Sequence, residues 1–364
     1  MRKPATSLLA IGLFLPLSCS LWAQQTATPT SLTPTTTPTP QALTQQVPAQ
    51  QTPGSQTSTP PTSTAKDSAQ QNQVRPDRQS EPETTLRVDV NLVNVFVTVT
   101  DAHGAPVGGL TKENFVLLEN DQPQKISVFD KESALPLSIG LAIDTSLTTH
   151  HDLPLEQASA KRFAHAIVRP IDGLSVYGFN EDVHEFTHGY ISDLKHIDES
   201  IDHIRPGAAT ALFDAIYVVS RALDRRKGRK VIVLITDGGD TWSRISYQDA
   251  VRAAVEAEAI VYSIIIVPIE SSAGRETGGE HALIQLSEDT GGKYYYATSA
   301  AQLDDAFHKI SDELRTQYLL AYYPSQRTSF SEFRRIQVKV AGVPEAAGYR
   351  VRHRAGYYTV KSEF

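Results

Sequence analysis

Three short stretches of this chain carry oxygen-bearing side chains at spacings that suit a hard cation. The first is Asp144, Thr145, Ser146 and Thr148, directly after the apolar run 137–143. Asp144, Ser146 and Thr148 stand at i, i+2 and i+4, so one turn offers a carboxylate and two hydroxyls, the oxygen set that Mg²⁺ accepts. A competing reading has Asp144 or Ser146 capping the next helix, and this stretch alone does not exclude it. The second stretch is Gly207-Ala208-Ala209-Thr210, where small residues lead to a hydroxyl at the opening of a helix. The third is Thr236-Asp237-Gly238-Gly239-Asp240, after the apolar run 230–235. In open α/β sheets, ligands sit beyond the carboxyl ends of the strands. All three stretches are expected there, on one edge of one sheet.

Other candidates weigh less. His184-Glu185-Phe186-Thr187-His188 matches the His-Glu-x-x-His signature of zinc metalloproteases. That chemistry needs a helix, where residues four apart share a face. In a strand, four residues span about 13 Å, too far for two imidazoles to share a zinc at about 2.0–2.1 Å. The turn at 180–182 and Gly189 leave little room for a helix, so the stretch reads as a strand. His150 and His151 follow the first oxygen stretch and read as solvated loop residues, although histidines there can tune binding with pH. No Gly-x-Gly-x-x-Gly, Walker or Gly-x-Ser-x-Gly pattern occurs, so nucleotide binding and a serine hydrolase find no support.

The elements that must position these residues follow from periodicity. Residues 137–143 read as a strand buried on both faces, and residues 155–168 as a helix with Leu155, Ala158, Phe163, Ala166 and Ile167 on one side. Strands are expected at 173–179, 183–187, 230–235, 260–267 and 293–297. Helices are expected at 196–204, 212–223, 247–257, 282–288 and 301–315. This alternation argues for an α/β fold, a doubly wound, mainly parallel sheet with helices on both faces. Before it, the β-branched run 88–99 and short strands at 115–118 and 126–129 are too few for an independent sandwich. After it, 318–323, 334–340 and 349–358 return to β. The reading is one small all-β domain, 86–132 and 317–364, into which the α/β domain, 133–316, is inserted.

The start of the chain reads differently. Residues 1–23 resemble an export signal: Arg2 and Lys3, an apolar run at 8–17 too short to span a bilayer, and Ala23 for cleavage. The only cysteine, Cys19, lies inside it, so the mature chain has no disulfide. The alternative is lipidation at Cys19, with Pro16 standing where such signals usually have leucine. Residues 24–85 are dominated by Thr, Pro, Gln and Ser and are expected to be a disordered stalk. The net charge of −7 over 364 residues gives no support for nucleic-acid binding.

Taken together, residues 135–315 resemble a von Willebrand factor type A domain, the integrin inserted-domain fold. That family's metal-ion-dependent adhesion site reads Asp-x-Ser-x-Ser, then Thr, then Asp. Here the positions are Asp144, Ser146, Thr148, Thr210 and Asp237, with Thr148 where serine is usual and Leu147 where many relatives have glycine. With its stalk and flanking β segments, the chain also resembles exported von Willebrand A-related proteins of Gram-negative soil bacteria. The resemblance implies Mg²⁺ or Mn²⁺ bound directly by Ser146 and Thr148, by Thr210 in one state, and partly through water by Asp144 and Asp237. It implies that a partner's Asp or Glu completes the shell, so the partner is a protein or glycan presenting an acidic group. Thr145, Leu147, Thr149, His150, Asp240 and Trp242 are the side chains placed to select it. It also implies that the last helix shifts on occupancy and carries the signal to the β strands. The expected function is an exported, non-enzymatic, metal-dependent binding or adhesion module in the cell envelope or secreted. The alternatives are a metal-dependent hydrolase, with His150, His151 or Asp240 as base, and a structural envelope protein with an idle site.

Overall fold

The run 137–143 becomes the central strand, β5 (Leu137–Asp144), whose eight residues are all buried. In the computed structural model, residues 92–131, 135–146, 153–267, 277–326, 328, 330–342 and 348–359 are described. The expected export signal, the stalk and Cys19 lie outside them, as do residues 86–91 and 147–152.

A six-stranded sheet surrounds β5. Its members are β6 (Gly173–Phe179), β7 (Val183–Glu185), β8 (Arg229–Thr236), β9 (Ala259–Ile266) and β10 (Tyr294–Ala297), in the order β10-β9-β8-β5-β6-β7. Every pairing is parallel except that of β7, which runs antiparallel to β6. Along a strand, successive side chains point to opposite faces. Leu137, Ile139, Leu141 and Ile143 therefore pack under α1 (Leu153–Ile167), α2 (Leu194–Asp202) and α6 (Ala300–Thr316). Ala142 faces the other way, toward α3 (Leu212–Asp224), α4 (Tyr247–Glu256) and α5 (Thr277–Asp289). Gly140 lets α3 come close: a Cβ there would lie 2.3 Å from Val219 Cγ1. The sheet is thus doubly wound, as the alternation of patterns indicated. The boundaries differ mainly at α5, which begins near the third oxygen stretch, ahead of the expected 282.

Four strands precede this sheet: β1 (Val93–Thr100), β2 (Phe115–Glu119), β3 (Gln122–Gln124) and β4 (Ile126–Lys131). Four follow it: β11 (Tyr318–Tyr322), β12 (Phe333–Val340), β13 (Arg350–Arg352) and β14 (Gly356–Tyr358). They form two four-stranded sheets, β13-β1-β11-β4 and β14-β12-β2-β3, each drawing strands from both sides of the α/β part. The sheets share one core, with Val95, Val97, Tyr318, Leu320 and Tyr322 from one and Leu117, Ile336 and Val338 from the other. β4 and β11 pair antiparallel with Lys131 opposite Tyr318, so the chain leaves and re-enters through adjacent strands.

Two local expectations change. Residues 122–124, between the strands expected at 115–118 and 126–129, form the additional strand β3, an edge strand where Pro123 forfeits no ladder bond. Residues 349–358 are two strands in different sheets, because the chain bends at 353–355. There His353 Nε2 accepts from Val338 N at 3.0 Å, and Ala355 N donates to Asp289 O at 2.7 Å.

A polar cluster joins the two parts. Glu313 of α6 accepts from Tyr262 OH at 2.7 Å and ion-pairs with Arg352 of β13 at 2.5 Å. Within the sandwich, Glu119 ion-pairs with Arg334 at 2.7 Å and accepts from Tyr322 OH and Tyr357 OH at 2.6 and 2.9 Å. Among the described residues no helix is long and apolar enough to cross a membrane.

Two tests follow from this architecture. A chain ending at Gln317 loses half of each β sheet, so limited proteolysis should cut within 93–131. Resistance there would show that the first four strands hold on their own. The second test concerns His353, whose burial lowers its pKa below the ordinary 6.5. The unfolded chain then binds the proton more readily than the folded one. Its stabilising contribution is complete above pH 6.5 and declines as pH falls through the lowered value. Melting temperature measured against pH should show this decline in wild type and a flatter curve in His353→Gln.

Candidate metal centre

Asp144 is the last residue of β5, and Asp237 follows the last residue of the neighbouring β8. Ile143 pairs with Ile235, so the two carboxylates leave adjacent parallel strands at the same edge. Ser146 lies just beyond Asp144. Thr210 stands two residues before α3, which opens beside both. Thr148 lies outside the described residues, together with Leu147, Thr149, His150 and His151.

Hydrogen bonds hold the three loops to one another. Asp144 is 0 % exposed; its Oδ2 accepts from Thr236 Oγ1 at 2.7 Å and its Oδ1 from Ser146 N at 2.9 Å. Thr236 Oγ1 in turn accepts from Gly238 N at 3.1 Å, which ties the first loop to the third. The third loop is tied to the second by Thr241, whose Oγ1 accepts from Thr210 N at 3.0 Å and whose N donates to Thr210 O at 2.9 Å. Asp240 Oδ1 adds bonds from Leu212 N at 2.9 Å and Ser243 Oγ at 2.5 Å. It caps α3 from a distance, since the residue at the N-cap itself is Ala211, which has no capping group. The second loop returns to the first through Gly207 N, which donates to Thr145 O at 2.7 Å. Asn180 reinforces that join: its Nδ2 donates to Thr145 Oγ1 at 3.2 Å and its carbonyl accepts from Ala211 N at 2.7 Å. The loops form a closed ring.

Two carboxylates lie close together in this ring. Burial, followed more weakly by the neighbouring Asp237 carboxylate, pushes the Asp144 pKa up to about 6, against the opposing pull of the Thr236 and Ser146 bonds. Asp237 Oδ1 accepts from Gly239 N at 3.0 Å, and among the described residues no hydrogen bond engages its Oδ2. The same holds for the Thr210 hydroxyl. Among the described residues no cluster of three or more His, Cys, Asp or Glu is placed to hold a metal. The donors here are two carboxylates and several hydroxyls, the chemistry of a hard cation rather than of zinc in a Cys/His site.

The structure separates the expected site residues by role. Asp144, Ser146, Thr210 and Asp237 share the edge. Thr145, read as a partner-facing residue, is 1 % exposed, with its hydroxyl also donating to Phe179 O at 3.1 Å; this corrects its place from the rim to the wall. Asp240 is engaged with α3. Trp242 is 55 % exposed on the rim, and its N donates to Thr210 O at 3.0 Å. Thr236, Asn180, Thr241 and Ser243 were not singled out from sequence. Thr236 alone carried a signal, a hydroxyl between a buried strand and the site's second aspartate. The stretch 184–188 is strand and then turn: β7 pairs with β6, His188 has φ 52°, and Glu185 Oε1 accepts from Ser175 Oγ at 2.6 Å and Gly189 N at 2.9 Å.

Solved structures with similar folds include BatB, a conserved hypothetical protein from Bacteroides thetaiotaomicron, at 17 % identity, covering 50 % of this chain and 100 % of that one, with a TM-score of 0.41. A von Willebrand factor type A protein from Catenulispora acidiphila is 11 % identical over 74 % of this chain and 75 % of that one, with a TM-score of 0.44. Proximal thread matrix protein 1 from the mussel byssus, solved with a zinc-occupied MIDAS motif, is 16 % identical over 55 % of this chain and 50 % of that one, with a TM-score of 0.44. Among curated proteins none matches the chain. The family model described as von Willebrand factor type A domain matches residues 139–239, which run from β5 through the third loop of the site. Residues 139–239, within the α/β part of this chain, are therefore similar to a von Willebrand factor type A domain.

Proposed function

We propose that this chain is an exported, divalent-cation-dependent binding module that recognises an acidic group on a protein or glycan and performs no reaction itself. The observation that carries the reading is the buried Asp144 carboxylate beside Asp237, its pKa raised to about 6, in a ring that also holds the Ser146 and Thr210 hydroxyls. A hard cation offsets the burial penalty and the repulsion between the two carboxylates. Ser146, Thr148 and Thr210 would hold it through hydroxyls, and Asp144 and Asp237 through carboxylates. Mg²⁺ or Mn²⁺ suits such oxygens, and when bound it offers a position for a partner's carboxylate.

Export rests on the character of residues 1–23, and presentation at an envelope on the Thr/Pro/Gln-rich composition of residues 24–85. Asp240, a candidate general base, is held by Leu212 N and Ser243 Oγ at the end of α3, which counts against the hydrolase reading. Trp242 is exposed beside Thr210, and tryptophan is a frequent anchor of interfaces.

The cation is tested by thermal unfolding. Mg²⁺ or Mn²⁺ should raise the melting temperature, since binding to the folded state alone adds about 2.7 kcal/mol at a hundredfold excess over Kd. Asp144→Ala should abolish the rise, and an equal rise in both proteins would refute the assignment. Partner binding is tested by pull-down from envelope fractions with the stalk-free domain. Chelator and Asp237→Ala should each release the partner. Trp242→Ala should weaken its binding about tenfold or more while leaving the metal response intact. Retention through both chelator and Asp237→Ala would end the adhesion reading.

A further inference from the structure

Thr236 is not among the ligands that the motif names, yet its side chain bridges the first and third loops of the site directly. It is 0 % exposed and sits at the end of β8, opposite the end of β5. Its hydroxyl donates to Asp144 Oδ2 at 2.7 Å and accepts from Gly238 N at 3.1 Å. A hydroxyl has one proton to give and lone pairs to receive, so these two bonds use it in one sense only. Its proton goes to the carboxylate, and its oxygen fixes the backbone of the residue that follows Asp237.

We propose that Thr236 is a positioning residue for the cation: one hydroxyl sets the orientation of the Asp144 carboxylate and the path of the Asp237 loop together. The inference rests on the metal reading above. Carboxylates that serve a metal are themselves oriented by hydrogen bonds, and losing such an outer partner typically costs about 10–100-fold in metal affinity. Three features favour this role over a merely structural one. The donor is aimed at a carboxylate whose charge is already disfavoured by burial. The same oxygen controls the turn carrying the second carboxylate, through Gly238 at φ 90°. That turn has little freedom to compensate, because α5 lies against it: a Cβ on Gly279 would come within 1.7 Å of Gly238 O. Thr236 is therefore the side-chain join between the strand end that carries Asp144 and the turn that carries Asp237.

The test titrates the full chain with Mg²⁺ at constant temperature, reads the midpoint of the binding isotherm, and records the melting temperature of each variant separately. Thr236→Val keeps the shape and removes the hydroxyl; Thr236→Ser keeps the hydroxyl and removes the methyl. Thr290→Val is the stability control. It removes a remote buried hydroxyl that accepts from Val261 N at 3.0 Å and donates to Leu286 O at 2.8 Å. The Mg²⁺ midpoint should move up about 10–100-fold in Thr236→Val and stay near wild type in Thr236→Ser. Thr290→Val should melt lower without moving the midpoint. If Thr236→Val does not fold, Thr236→Cys, with a weaker donor, is read on the same axis and should fall between Ser and Val. A midpoint unchanged in Thr236→Val, or in Thr236→Cys where that variant is needed, overturns the proposal. So does a midpoint that moves equally in Thr236→Ser and the hydroxyl-free variant. A wild-type chain that responds to no divalent ion fails differently: it overturns the metal reading itself, and the inference with it.

Discussion

The site depends on keeping one carboxylate at the end of a strand that water does not reach. β5 is covered on both faces, so Asp144 leaves the sheet in a medium that penalises its charge. Two neutral donors, Thr236 Oγ1 and Ser146 N, hold it in place. Neither supplies positive charge, and Asp237 adds more negative charge. A fold built only for stability has little use for this arrangement, because replacing a buried charge by an apolar group of similar size is often neutral or stabilising. The surrounding hydrogen bonds point the same way. Thr241, Asp240, Asn180 and Thr145 spend their polar atoms fixing three loops to one another. Rigidity of this kind is costly in conformational entropy and is found where geometry has to be preserved.

The same economy of connection appears where the α/β part meets the sandwich. The chain enters from β4 and returns into β11, and those two strands are hydrogen-bonded neighbours. Neither half of the sandwich is a complete sheet, so the sandwich closes only when both ends of the chain's described part come together. The bend at 353–355 then lies against the turn after α5: Ala355 N reaches Asp289 O, and Arg352 Nη1 reaches Gly292 O at 2.7 Å. Gly291 permits this approach, since a Cβ there would lie 2.6 Å from the His353 carbonyl carbon.

Much of this was legible from residue order. Buried parallel strands such as β5, β6 and β9 announce themselves as apolar runs, because both faces are covered and no alternation is needed. The oxygen donors were legible because strand ends concentrate ligands and because their types agreed at three separate places. Their supports were not. Asn180 reads as a turn residue and Asp240 as a free carboxylate until the third dimension brings α3 to them. Thr145 was misplaced for the same reason: sequence gives the loop but not the side of it that faces inward. The split of 349–358 into β13 and β14 was also hidden, since a single run of β-formers carries no mark of the sheet each half will join. The bend is pinned by the His353 ring, accepting from Val338 N and hydrogen-bonded to Arg354 O at 2.8 Å, together with the bond from Ala355 N to Asp289 O.

The joint at α6 bears on how far a signal from the metal edge can travel. α6 ends at Thr316 and β11 begins at Tyr318, leaving Gln317 as the whole connection. Gln317 Nε2 donates to Thr98 Oγ1 at 3.2 Å and Tyr262 OH at 3.4 Å. One turn earlier, Glu313 is 4 % exposed and bonded to Tyr262 of the sheet and Arg352 of the sandwich. A slide of α6 along its axis, the movement that the family resemblance implies, would pull Glu313 away from both. Stranding a buried member of such a pair costs about 3–5 kcal/mol, and the partial exposure of Arg352 brings the figure toward the lower end. To drive that slide, a ligand must favour the shifted state by a comparable free energy, which is about two orders of magnitude in affinity. Glu313 thus ties α6 to both the sheet and the sandwich.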